Sequence, residues 1–232
     1  MTEELRKAVL AAYGGESIWR TAKTVKATVW SGGLAFVLKA PRGIRGGPVE
    51  VDLSRPCTKL HLGPDGTVGV LEGDDVRIET SAGQVLASRA KARSLFPGGR
   101  RWLWWDRLDQ LYFAGYALWN YLALPALLLR EDIVWNATSP WSLEGTFPPN
   151  LPTHCRSQQF HFDPQTSLLK QHDYTAEVFG NWAKAAHVIL EHRTWNQIPF
   201  AAKRRATLRR SDGTPYRWPV LVWIELKDWS IG

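Results

Sequence analysis

The sequence predicts an α+β chain, mainly antiparallel β, on three observations. Short apolar runs of period two fill residues 23–88 and return over 133–231. Their spacing leaves no room for the crossover helices that parallel pairing requires. Between the two β regions lies a strongly aromatic, helical insertion, residues 90–130. No linker-like shift in composition and no internal repeat divides the 232 residues, so a single domain, 1–232, is expected.

The N-terminal segment TEELRKAVLAAYGG opens on a threonine suited to a helix start and places Leu5, Val9, Ala12 and Tyr13 on one stripe. A glycine pair stops it, which predicts a helix over 2–14. ESIWRTA adds a short helical turn leading into the sheet. Seven runs follow, TVKATVW, LAFVLKA, VEVDLS, TKLHLG, TVGVLEG, DVRIETS and QVLASR, each bounded by Gly, Pro, Asp or Ser. They read as the strands of a meander. Residues 90–97 form a helical or irregular edge. Beyond the aromatic block, WSLEGTF, HCRSQQFHFD, SLLKQHDYTAEV, AAHVILEHRTW, FAAKRRATLRR and VLVWIELKDW again read as strands.

The insertion contains LYFAGYALWNYLALPALLL, residues 111–129, with no charge between Asp109 and Arg130. A membrane-spanning helix needs about 20 apolar residues, whereas this run spends positions on Gly115, Asn120 and Pro125 and carries tyrosines in its body. No transmembrane span is expected. A helix over 106–123 puts Tyr112, Tyr116, Trp119 and Ala123 on one stripe and Phe113, Ala117, Asn120 and Leu124 on the next. Such a helix is apolar all round, so it either plugs the middle of the fold or lines a cavity. Pro125 ends or kinks it. With 13 tryptophans in the chain, the candidates for contacting an apolar ligand are Trp105, Tyr112, Phe113, Tyr116, Trp119 and Trp135.

His154, His161 and His172 fall within nineteen residues. The DPQTS turn makes a hairpin of the strands around it. If Asp163 pairs with Leu168, Gln159 opposes His172 and His161 opposes Lys170. His161, His172, Lys170 and Tyr174 then share one face, with Phe160, Phe162 and Leu169 on the other. That polar face is either solvated or an acid–base group, in which His154, His161 or His172 moves protons with help from Asp173 or Tyr174. The spacing H-x6-H-x10-H matches no metal motif, and HExxH, GxSxG, a Walker loop and GxGxxG are all missing. No metal and no cofactor is expected. Cys57 and Cys155, far apart and without CxxC spacing, read as reduced thiols.

The net charge of +7 arises largely from RGIR, GGRR and KRRATLRR. Clustered basic residues suit phosphates, but no recognised binding motif surrounds them, so a solvated strand face is the expectation and nucleic acid ranks last among partners. The first residues lack the apolar core of a signal peptide, and a cytoplasmic location is expected.

Three stretches resemble one family. AYGGESIWRTAKTVKATVW is similar to the opening of LolA-like lipoprotein carriers, FHFDPQTSLLKQHDYTAEV to a later hairpin, and WNQIPFAAKRRATLRRSDG to the penultimate hairpin. The resemblance covers about a quarter of the chain. It implies a curved, unclosed β-barrel, a half-barrel whose concave face is covered by helices and receives acyl chains or other apolar ligands. It brings no catalytic residues with it. The reading that follows is a binding protein for an apolar small molecule, acyl or polycyclic, held between half-barrel and aromatic helix. The alternative is a cofactor-independent isomerase, cyclase or hydrolase that uses the same cavity.

Overall fold

The computed structural model describes residues 1–39, 43–63 and 65–232. Thirteen strands among them form one antiparallel sheet in the order β6-β5-β4-β3-β2-β1-β13-β12-β11-β10-β9-β8-β7. The first half comprises β1 (Thr24–Gly32), β2 (Arg45–Asp52), β3 (Cys57–His61), β4 (Val68–Glu72), β5 (Asp75–Glu79) and β6 (Val85–Arg89). The second half comprises β7 (Val134–Ser139), β8 (Ser142–Thr146), β9 (Ser157–Phe162), β10 (Leu169–Thr175), β11 (Lys184–Trp195), β12 (Ile198–Leu208) and β13 (Val222–Ile231). The chain's last strand closes onto its first, β13 pairing with β1, so the two β regions are one continuous sheet. Strands β6 and β7 remain as free edges, and the sheet is a curved, unclosed half-barrel.

Helix α1 (Thr2–Ala12) ends at Gly14 and Gly15, whose φ angles of +92° and +98° are open to glycine and strained for other residues. Helix α2 (Glu16–Thr21) follows and leads into β1. The segment LAFVLK, expected as a strand, is helix α3 (Leu34–Lys39). Its buried residues are the adjacent Ala35 and Phe36, not an alternating set, and Leu34 and Ala35 donate their amides to Val220 and Leu221 as the chain turns off the sheet at Gly33. Ala40 and Arg42 of the expected strand and basic cluster lie outside the described residues. Strand β7, not among the six runs named above but inside the expected 133–231 region, runs through VWNATS at the edge, with Trp135 buried between exposed Val134 and Asn136.

The aromatic helix α4 (Arg107–Leu122) lies across β2 to β6, with 14 of its 16 residues buried. Its start is fastened by a capping box: the Asp106 side chain accepts from the Asp109 amide, and Asp109 accepts from the Asp106 amide. Asp109 is fully buried and pairs with Arg89 at 2.6 Å, Arg100 at 2.7 Å and Arg101 at 2.7 Å. Further along, Thr58 donates to the Gly115 carbonyl at 2.9 Å and the Trp119 indole to the Asp52 carbonyl at 2.8 Å. The helix stops at Leu122, and Pro125 falls in the first turn of a short helix α5 (Leu124–Leu127). None of the described helices is long and apolar enough to cross a membrane.

Candidate functional site

Strands β9 and β10 fold back at Asp163, whose amide donates to the Leu168 carbonyl at 2.8 Å, as the sequence suggests. A bulge at Lys170 then shifts the register: Leu169 opposes Phe162, but Gln171 opposes His161 and His172 opposes Phe160. The expected shared face of His161 and His172 is therefore wrong. The extra residue turns His172 and Tyr174 inward with Leu169 and Phe160, while His161 faces out. On the outer face His161 Nε2 lies 3.1 Å from Asp173 Oδ2, and Arg209 donates to the same oxygen at 2.9 Å. Burial opposes ionisation of Asp173, but bonds from His161, Arg209 and Gln171 outweigh it and hold its carboxyl below the usual range.

Inside the concave face the polar side chains converge. His154, on the loop before β9, stacks on Tyr174 with ring centroids 3.7 Å apart and planes 5° apart. The Tyr121 hydroxyl, from the last turn of α4, lies 2.7 Å from His154 Nε2 and 2.9 Å from the Tyr174 hydroxyl. Tyr116 reaches His154 Nδ1 at 3.3 Å, and Tyr174 reaches His187 Nδ1 of β11 at 3.3 Å. His172 Nε2 lies 2.7 Å from the Gln158 side-chain oxygen. All of these side chains are buried, and burial lowers the basicity of all three histidines, that of His172 to about 3. Burial likewise raises the phenols of Tyr116, Tyr121 and Tyr174, so the interior network is neutral at physiological pH.

Beside this neutral network lies a charged side chain. Arg204 of β12, part of KRRATLRR, is 4% exposed, and its guanidinium carbon lies 4.9 Å from the Tyr121 ring centre. The expected solvated face therefore holds only in part: Lys203 and Arg205 point outward and Arg204 inward. Sequence reasoning missed Arg204, His187, Tyr121 and Gln158 as members of the cluster.

The six expected ligand-contacting residues are all buried, but they contact mainly one another and their neighbours. Trp105 packs 5.3 Å from Phe113 and 4.7 Å from Phe179, and Tyr112 lies 5.3 Å from Tyr116. Trp119 is wholly enclosed, and Trp135 sits 5.3 Å from Phe160. None of them borders the interior cavity, which lies at the far end of α4 between the α1–α2 joint, α5 and strands β12 and β13. It measures about 20 Å³, and Tyr13, Trp19, Tyr121, Phe200, Arg204 and Trp229 are among its walls. That is room for about one water molecule. Among the described residues, no group of three His, Cys, Asp or Glu is placed to hold a metal ion.

A helix-filled concavity in an unclosed antiparallel sheet defines the class. Two solved structures share it over nearly the whole chain. A LolA superfamily protein from Nitrosomonas europaea matches with a TM-score of 0.51 at 9% identity, covering 98% of this chain and 93% of that one. A domain from Vibrio parahaemolyticus, described as an outer membrane lipoprotein-sorting protein, matches at 0.51 and 11% identity over 98% and 91%. The fold of this chain is LolA-like. No protein-family model matches the sequence, and no curated protein does.

Proposed function

We propose that the protein binds an apolar small molecule, of acyl or polycyclic kind, within the concavity of the half-barrel. The observation that carries this reading is the placement of α4: an aromatic helix buried on all sides, laid along the concave face of a sheet that never closes. Two structures of the same fold bear names tied to the LolA superfamily and to lipoprotein sorting, which agrees with a carrier for apolar cargo.

The 20 Å³ cavity is far below the roughly 300 Å³ of an ordinary ligand site, so cargo enters by displacing a covering element. The start of α4 is pinned by three arginines on Asp109. The cover that yields is the α1–α2 joint with α5, which contributes Tyr13, Trp19, Leu124 and Pro125 to the cavity wall. Titration of intrinsic tryptophan fluorescence with fatty acids and aromatic polyketide-like compounds, followed by hydrogen exchange of the complex, tests this. A saturable signal with altered protection over 13–21 and 124–127 is expected. A flat response to every compound defeats the reading.

A catalytic use of the same interior has one observation in its favour: the hydrogen-bonded chain from His154 through Tyr121 and Tyr174 to His187. Such a chain can pass a proton. This reading keeps His154, His172 and Tyr174 but gives up His161 and Asp173, which face outward. Conversion of a bound compound that ceases in His154→Phe is its test.

A further inference from the structure

Among the described residues, Arg204 carries the only buried side-chain charge that no carboxylate answers. Among the described residues the two buried carboxylates are Asp109 and Asp173, and each is held by other arginines. The Arg204 guanidinium makes no ion pair. Its Nε has no hydrogen-bond partner, and its Nη2 donates only a long bond, 3.4 Å, to the Ala201 carbonyl. Burying an unpaired cation is strongly unfavourable, and the face of Tyr121 returns only a part of that cost. Nε and Nη2 form one edge of the guanidinium fork, the edge that takes a planar carboxylate through two parallel bonds.

The surroundings suit an acid. Arg204 borders the interior cavity together with Tyr13, whose hydroxyl accepts from the Leu169 amide at 3.2 Å and keeps its own proton free to donate. The remaining wall is largely apolar, with Trp19, Phe200 and Trp229 beside Arg204. A charged head would thus be fixed at one end of an otherwise hydrophobic enclosure.

We propose that Arg204, with the Tyr13 hydroxyl, receives the carboxylate of an amphiphilic organic acid whose apolar body occupies the concavity. The assignment rests on the apolar-ligand reading above and adds the head group to it. An uncharged analogue of equal chain length leaves the guanidinium buried and unmatched, so selectivity for the acid is built into the site.

The test compares dodecanoate, methyl dodecanoate and dodecyl phosphate by calorimetric titration at pH 8, against wild type and Arg204→Met. Wild type is expected to bind dodecanoate at least tenfold more tightly than the methyl ester, and Arg204→Met to lose that preference while still binding the ester. Equal affinities in wild type, or a preference that survives in Arg204→Met, overturn the assignment. Tighter binding of the phosphate overturns the carboxylate as the head group. Binding of neither acid nor ester to wild type refutes the apolar-ligand reading itself, and this inference with it. A second measurement needs no ligand: removing an unanswered buried charge for an apolar side chain of similar length is expected to raise the melting temperature of the empty protein. A lowered melting temperature would make Arg204 a structural residue.

Discussion

Gly115 and Leu71 hold helix α4 against strand β4: a β-carbon added at Gly115 would lie 2.8 Å from the β-carbon of Leu71. That atom is part of the strand's own framework and cannot swing aside. The only ways to relieve the contact are to lift the helix or to bend the sheet. Alanine at position 115 gains about 1 kcal/mol of helix propensity but meets overpacking of about 1–3 kcal/mol. Gly115→Ala is therefore expected to lower stability slightly, and Gly115→Val, with a poorer helix propensity and two more carbons, to lower it by about 3 kcal/mol. Urea unfolding followed by tryptophan emission measures both, and a Gly115→Val protein as stable as wild type would show that the helix does not need this approach.

Asp109 answers three guanidiniums from inside the protein, where Arg89, Arg100 and Arg101 close over the first turn of α4. Removing the carboxylate leaves Asp106 alone to answer Arg89 and Arg100, leaves Arg101 without a carboxylate, and breaks one arm of the capping box. Asp109→Ala is expected to cost about 3 kcal/mol, the low end for a broken buried pair because the arginines keep partial access to water. Asp132→Ala, which removes an exposed partner of Arg130, is expected to cost less than about 1 kcal/mol. Chemical denaturation of the two variants side by side distinguishes a fastening point from an ordinary surface pair.

How far the sequence discloses this arrangement depends on the range of the interaction. Local signals read well: the 106–123 helix appears as Arg107–Leu122 behind an Asp106 cap, and the Asp163–Leu168 turn forms as its residues suggest. The bulge at Lys170 does not read, because an extra residue in one strand leaves no mark on side-chain alternation until the partner's register is known. That one residue separates His161 from His172 and decides which of them is interior. Arg204 was hidden for a similar reason: β11 slips against β12 between Ile189 and His192, and the slip accompanies a run of three buried residues, Phe200 to Ala202, just before the basic segment. The LolA-like architecture was legible through its helix–turn–strand opening and its hairpins. The cluster of His187, Tyr121, Gln158 and Arg204 comes from four separate elements, β11, α4, β9 and β12, and only the assembled sheet with its covering helix brings these together.

Acid should weaken this fold well before carboxylates titrate. In the unfolded chain a histidine takes up its proton near pH 6.5, but His172 in the folded protein stays neutral down to about pH 3, since burial opposes the charge. The unfolded state therefore binds more protons throughout that interval, and stability falls as pH is lowered from 6.5 toward 3. Between pH 6.5 and 5 the loss from His172 alone is about 1.6 kcal/mol, because the full slope of about 1.36 kcal/mol per pH unit is reached only below the unfolded pKa. His154 and His187 are shifted in the same direction and steepen the fall. Urea midpoints measured at pH 8, 7, 6 and 5 are expected to hold level above 7 and drop below 6.5, with a shallower drop in His172→Gln. A midpoint unchanged from pH 7 to 5 would mean that these rings take up protons without unfolding.

Both cysteines are free, and both are shielded in ways that predict their chemistry. Burial raises the Cys57 thiol and pushes Cys155 to about 11. Cys155 is also engaged, donating to the Ser157 carbonyl at 2.9 Å and accepting from the Thr175 amide at 3.2 Å. At pH 8 a thiol of that acidity holds roughly two-hundred-fold less thiolate than an ordinary cysteine, before the loss of access is counted. A disulfide reagent such as dithiobisnitrobenzoate is therefore expected to release almost no chromophore from the native protein over minutes, then two equivalents once urea unfolds it. Because Cys155 lies on the loop that carries His154, its labelling rate also reports local opening beside the histidine cluster. Rapid labelling of Cys155 in native buffer, with unfolding excluded by unchanged tryptophan emission, would show that this loop opens readily and that the cluster is not sealed from water.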